Sequence, residues 1–343
     1  MRALRYEGPS RGVVLAKAAA APEPPPGEAL IRPRRVAISS TDLAIARAGG
    51  PGGAPITLGH EFVGVVERVT PPVPPASGAA STRAVDDPRL LVGKRVVGST
   101  SAVCGRCDLC RRGLSNHCRE RTVLGVHGRD GCFADQFCLP IANLTVVPDQ
   151  LDDDHAVFAE PLASALHASQ QVRIEGRPYV TVLGDGAIAL LCAQVMSRMN
   201  ASVRVLGSSP SRMALCERWG VKHRPLEEAG RRADQDLVIV CTQATRGLAL
   251  ALELVRPRGT VLLKSGLSAG AGLDVPVDLT PIVTNEIEIV GSRCGRISEA
   301  ITVLQRGTVD VVSLITRRSK LDDGERAMRL AEEPEQLKVV MDV

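Results

Sequence analysis

Residues 179–189 read YVTVLGDGAIA. Val180, Val182 and Leu183 form a short apolar run that stops at Gly184, and Gly186 and Ala189 complete a G-x-G-x-x-A spacing. Leu190, Leu191, Ala193 and Val195 then continue with helical periodicity, so the pattern predicts a buried strand, a tight turn and a helix. Gly184 would permit the turn, Gly186 the approach of a pyrophosphate to the backbone, and the small Ala189 close packing of helix on strand. Gly184, Gly186, Ala187 and Ile188 are the candidate cofactor-binding residues of this turn, with the phosphates on the positive helix N-terminus. The same glycines also suit an ordinary strand-to-helix turn, and the surroundings decide between the two. A helix to about Met199, a strand at Val203–Leu206, a helix at Pro210–Trp219, a strand at Asp236–Cys241, a helix at Thr245–Val255 and a strand at Gly259–Lys264 are expected to follow. Strand and helix alternating at this pitch predict an α/β, doubly wound parallel sheet of Rossmann type.

The chain has 343 residues, 44% hydrophobic and 23% charged, enough for two domains with ample core. Its net charge of +4 is carried by scattered arginines rather than a basic stripe, which argues against a nucleic-acid partner. No apolar run reaches the roughly 18 residues of a membrane span, and MRALRYEG lacks the apolar core of a signal peptide, so a cytoplasmic protein with no membrane contact is expected. Upstream of the dinucleotide unit, Gly12–Leu15, Ala29–Arg34 and Phe62–Val69 read as short strands punctuated by Pro24, Pro25, Pro26 and Gly27, which suggests a small barrel-like β domain. Thr70–Pro88, rich in Pro, Ala and Ser, reads as a surface loop with some disorder. Strand resumes at Leu91–Gly98 and Phe133–Val147, a further strand is expected at Glu286–Gly291, and helices near Ser298–Gln305 and Gly324–Ala331.

Cys104, Cys107, Cys110 and Cys118 are separated by two, two and seven residues. A loop of that spacing can turn four thiolates on one tetrahedral ion, and zinc closed by four sulfurs makes a structural site. Disulfides or free buried thiols are the alternative, less suited to a reducing compartment. His117 reads as a solvated neighbour of the lobe.

GHEFVGVVERV from Gly59, the four-cysteine lobe and the GDGAIA turn together resemble the zinc-dependent medium-chain dehydrogenase/reductase superfamily of alcohol and polyol dehydrogenases. STD at Ser40–Asp42, DGCFADQF at Asp130–Phe137, AEPLASALHA at Ala159–Ala168 and KVV at Lys338–Val340 extend the resemblance over nearly the whole chain. It implies a GroES-like β-barrel catalytic domain from residues 1–150 and 291–343, carrying the zinc lobe 104–118, and a Rossmann domain from residues 151–290. It implies hydride exchange with a nicotinamide, a catalytic zinc in the cleft between domains, a small-molecule substrate, and a homo-oligomer, dimer or tetramer. His60 matches the family's zinc-binding histidine, Glu61 the acidic residue beside it, Glu160 the glutamate that polyol and glucose dehydrogenases place at or near zinc, and Thr41 the hydroxyl of the proton relay.

The chain departs from the family pattern at Ser39, where a cysteine ligand is expected, and at Ala44, where many relatives carry a relay histidine. A neutral hydroxyl is a far poorer zinc ligand than a thiolate. Two carboxylates and a neutral His60 still balance a divalent ion, with water or Ser39 completing the shell; the alternatives are a partly empty site, another divalent ion, or a hydrogen-bonded pair without metal. His155 and His167 read as structural. For the nicotinamide, the end of the second nucleotide strand has Gly207 where an acidic residue would select NAD, followed by Ser208, Ser209 and Arg212, a set that suits the 2′-phosphate of NADP, with NAD as the alternative. Asp185 within the glycine turn is expected to point away from the pyrophosphate. The expected activity is that of an NADP-preferring dehydrogenase of a secondary alcohol, polyol or sugar-like substrate. Its rivals are a metal-independent reductase of the same fold and a dinucleotide-binding sensor or scaffold that has lost catalysis with its cysteine ligand.

Overall fold

The computed structural model describes residues 1–50, 53–73, 87–242, 245–265 and 277–343. Most of the loop expected over Thr70–Pro88 lies outside the described residues. The chain divides into two compact units, Met1–Glu160 with Ile297–Gly307 and Ile315–Val343, and Pro161–Arg296 with Thr308–Leu314.

The second unit is built on the quoted stretch. Tyr179–Leu183 is the third strand of a six-stranded parallel sheet, ordered Lys222–Pro225, Ser202–Gly207, Tyr179–Leu183, Gln235–Val240, Val255–Leu263, Glu288–Gly291. The order reverses between Tyr179–Leu183 and Gln235–Val240, the place where open α/β sheets leave a crevice beyond their carboxyl ends. Gly184 stands at that end with φ +112°, which an L side chain rarely adopts. The helix Ala187–Ser197 follows, and every residue from Ala189 to Met196 is buried, which a sequence apolar at each of these positions but Gln194 requires. Its one buried amide, Gln194, is satisfied at both ends: it donates to the Asp310 carbonyl and accepts from the Asp310 N–H. The edge strand Lys222–Pro225, KHRP, has no apolar alternation and is absent from the pattern expected of the sequence. It forms because its backbone completes the ladder beside Ser202–Gly207.

In the first unit the long strand Glu28–Ala37 pairs antiparallel with Glu61–Val69 on one side and with Lys338–Asp342 on the other. Arg95–Gly98 and Leu144–Val146 extend the sheet beyond Glu61–Val69, and Ile315–Lys320 extends it beyond Lys338–Asp342. Ile31, Val36, Phe62, Phe133, Phe137, Leu139 and Met341 fill the barrel interior, with the Phe62 and Phe137 rings edge to face at 4.8 Å. This is the GroES-like partner of the Rossmann unit. The register sets Ala37 opposite both Glu61 and Val340, which brings the start of the glutamate strand and the start of the Lys338 strand to one end of the central strand. Among the described residues no helix is long and apolar enough to cross a membrane.

Candidate functional site

The lobe 104–118 gathers its sulfurs. The Sγ atoms of Cys104, Cys107, Cys110 and Cys118 all lie within 4.8 Å of one another, and no disulfide joins them. The Cys104–Cys118 and Cys107–Cys118 separations of 3.5 and 4.0 Å match the edge of about 3.8 Å that four Zn–S bonds would impose on a tetrahedron. Backbone N–H groups support the thiolate form at two of the four: that of Arg119 leads in drawing Cys107 down to about 6, and that of Cys104 leads in lowering Cys118, while burial and the neighbouring sulfurs push Cys110 up to about 12. The donor set fits a structural zinc ion.

A second cluster lies in the first unit, where ligand atoms of His60, Glu61 and Glu160 come within 4.8 Å of one another. His60 follows Gly59, whose φ of +96° and position against the Phe133 ring exclude any side chain: an added Cβ would lie 2.2 Å from Phe133 Cδ1. Glu61 opens its strand, and Glu160 sits in the first turn of the helix Ala159–Gln170. Both Glu61 oxygens accept from Lys338 Nζ, at 2.6 and 2.5 Å, and the same ammonium donates to the Ile38 carbonyl at 3.3 Å. Asp42 backs the histidine. Its Oδ1 lies 3.6 Å from His60 Nδ1 and accepts from the Gly59 N–H, while its Oδ2 accepts from the N–H and hydroxyl of Ser39.

These charges set one another. Burial works against an imidazolium at His60, yet the carboxylates of Asp42, Glu160 and Glu61 hold it up at about 9. Burial likewise opposes ionisation of Asp42, but His60 and the bonds from Ser39 keep its carboxyl below the usual range. At Glu61 burial prevails over Lys338 and His60 and raises the carboxyl. A cation bound by His60 would take the place of the proton that these carboxylates now favour on its ring. A divalent cation therefore fits the donor set, though one of oxygen and nitrogen rather than sulfur.

Ser39 caps the helix Ser40–Ala48: its Oγ accepts from the Asp42 N–H and its own N–H donates to the Asp42 carboxylate, a capping box, and the hydroxyl donates to the same carboxylate. Thr41 is exposed on the first turn of that helix, and Ala44 is exposed one turn on. Sequence reasoning gave no role to Lys338 and none to Asp42. The signal for Lys338 was a lone lysine leading the apolar run VVM into a strand whose interior is buried.

In the second unit, Gly186 begins the helix Ala187–Ser197 with no side-chain cap, and a Cβ placed on it would meet nothing within 4 Å. An open backbone at the N-terminus of an eleven-residue helix fits a diphosphate. Ser209 caps the helix Pro210–Arg218, its hydroxyl accepting from the Arg212 N–H, and Ser208 is exposed. Asp185 turns to these residues. Its Oδ2 accepts from the N–H groups of Ser208 and Ser209, both at 2.7 Å, and its Oδ1 lies 3.3 Å from Arg212.

Residues 25–149 match the alcohol dehydrogenase GroES-like domain family. The chain is 30% identical to an L-threonine 3-dehydrogenase of Chelativorans sp. (strain BNC1) over 361 aligned positions, 100% of this chain and 98% of the relative. It is 27% identical to a sorbitol dehydrogenase of Halalkalibacterium halodurans, over 93% of each. A protein from Sinorhizobium meliloti 1021 described as a zinc-binding dehydrogenase and solved bound to NADP superposes with a TM-score of 0.84 at 26% identity, over 100% of this chain and 99% of that one. With its parallel dinucleotide-type sheet, its barrel and its clustered thiols and carboxylates, the chain belongs to the zinc-type medium-chain dehydrogenase superfamily.

Proposed function

We propose that this chain is a nicotinamide-dependent dehydrogenase that exchanges hydride with a secondary alcohol, a polyol or a sugar-like substrate, or the corresponding carbonyl. The observation that carries the reading is the convergence of His60, Glu61 and Glu160, whose ligand atoms lie within 4.8 Å of one another. The relatives that oxidise threonine and sorbitol by name support polar hydroxylated substrates. His60 and Glu160 would hold the cation, with Glu61 alongside and neutralised by Lys338. A cation so held supplies Lewis acidity toward a substrate oxygen, and the bound nicotinamide supplies the hydride exchange. Asp42 orients the His60 ring from behind, and the exposed Thr41 hydroxyl carries the substrate proton. Gly184 and Gly186, with the N–H groups of Ala187 and Ile188, receive the diphosphate. The choice between NAD and NADP falls to the loop after Gly207, where hydroxyls and a guanidinium favour a 2′-phosphate and the Asp185 carboxylate opposes one.

A second reading, a metal-independent reductase, draws on two facts: Ser39 replaces a thiolate, and Lys338 already engages both oxygens of Glu61. The test is metal content together with turnover. Purified protein is expected to contain two divalent ions per chain and to reduce NAD or NADP with secondary alcohols, threonine and sorbitol among them. One ion per chain with reduction of activated double bonds would favour the second reading, and no turnover of any nucleotide would exclude both. Ser39→Cys is expected to raise occupancy of the His60 cluster, because a thiolate binds zinc far more tightly than a hydroxyl. Unchanged metal content in that variant would count against placing position 39 beside the cation.

A further inference from the structure

We propose that Asp185 selects the cofactor, and that it favours NAD(H) over NADP(H); the proposal rests on the dehydrogenase reading above. The expectation of NADP came from Gly207, which offers no carboxylate at the end of the strand Ser202–Gly207. The loop nevertheless holds a carboxylate. It comes from the neighbouring strand's turn.

Gly207 cannot carry a side chain while Asp185 stands where it does. A Cβ on Gly207 would fall 2.6 Å from Asp185 Cβ and 2.7 Å from its Oδ2, so the Asp185 side chain fills the space that an acidic residue at 207 would use. Strand pairing explains the reach. Leu183 lies opposite Leu206 in the parallel register, and the Gly184 N–H donates to the Leu206 carbonyl, so the residue after Gly184 emerges beside the residue after Leu206. The carboxylate is buried, and it accepts from the N–H groups of Ser208 and Ser209 and from the Arg212 guanidinium.

Those three donors are the groups that would receive a 2′-phosphate. In this chain they already face an anion fixed to the protein. A 2′-phosphate brought to the same place would meet a like charge and would have to compete for the same hydrogen bonds. A ribose 2′-hydroxyl, by contrast, has a proton to give to the carboxylate, the interaction that selects NAD when the acid stands on the strand itself. The identity of the residue has changed, and the chemistry presented to the ribose has not.

The experiment is calorimetric titration of the whole protein with NADH and with NADPH. It is repeated for Asp185→Asn, which keeps the shape and removes the charge, and for the double variant Asp185→Gly/Gly207→Asp, which returns the carboxylate to the strand. The wild type is expected to bind NADH at least about tenfold more tightly than NADPH, in line with one charge-assisted hydrogen bond gained and one repulsion avoided. Asp185→Asn is expected to shift the ratio toward NADPH by about tenfold or more, and the double variant to restore the preference for NADH. Wild-type protein that binds NADPH as tightly as NADH overturns the proposal, whether or not the variants fold. So does Asp185→Asn that binds both nucleotides with the ratio unchanged. Wild-type protein that binds neither nucleotide overturns the dehydrogenase reading itself, a failure distinct from these two.

Discussion

Replacing Cys118 with alanine is expected to remove one zinc ion from each chain and to unfold the lobe between Val103 and Arg121, leaving the barrel around it intact. The lobe has no apolar core of its own. Its short helix Asp108–Arg111 and the turn Ser115–His117 bury no residue, and Cys118 is the lobe's one buried side chain between Val103 and Arg121. The ion pairs on its surface, Arg106 with Glu120 and Arg119 with Asp108, are exposed and contribute little against salt and side-chain entropy. What remains is the attraction of four sulfurs to one cation. In lobes of this size the free energy of zinc binding is in effect the free energy of folding. Without the ion, thiolates at Cys107 and Cys118, favoured by the N–H groups of Arg119 and Cys104, would repel one another across 4.0 Å. Elemental analysis should show one zinc fewer per chain in Cys118→Ala, and trypsin should cut at Arg111 and Arg112 at least about tenfold faster than in the wild type, as expected for a locally unfolded segment. A variant that keeps its full metal content and resists trypsin would refute a shared zinc in the lobe.

How much of this was legible in the sequence follows from which forces act locally. YVTVLGDGAIA could be read because a buried parallel strand is a continuous apolar run, a tight turn needs glycine, and a buried helix leaves its apolar residues unbroken. The four cysteines could be read because their spacing alone lets one loop close on one ion. KHRP could not, because an edge strand draws its stability from a neighbour's backbone and leaves no periodicity in its own residues. His60, Glu61 and Glu160 were visible through resemblance, but what holds them was not. Lys338 lies 277 positions from Glu61, and only the sheet register brings the two together. Asp185 shows the same limit from the other side. Its place in the glycine turn marked it as unusual, while its partners Ser208, Ser209 and Arg212 belong to the next strand and helix, and it is their donors that give it a direction.

Lys338→Met is expected to destabilise the protein by about 3–5 kcal/mol, the cost of breaking a buried ion pair from one side. The Glu61 carboxyl is nearly inaccessible; without Lys338 it must either stay charged beside Glu160 with only His60 opposing, or take up a proton that burial already favours. The methionine also leaves the Ile38 carbonyl without the ammonium donor it has now. If the pairing is the cause, Lys338→Met/Glu61→Gln should recover most of the loss, because the orphaned charge has gone, and the two single substitutions should fail to add. The cluster's charge makes a further prediction that a merely structural pair would not. Losing the ammonium removes a positive charge beside His60 and Glu160, so added zinc should raise the melting temperature of Lys338→Met by more than it raises that of the wild type. Urea unfolding measures the first effect and thermal melts with and without zinc the second. A loss below about 1 kcal/mol, in the range of an exposed pair, would mean that the lysine and glutamate do not meet in solution as they do here. A full loss with no difference in the response to zinc would leave the ion pair standing and remove the charge argument for a cation at His60 and Glu160.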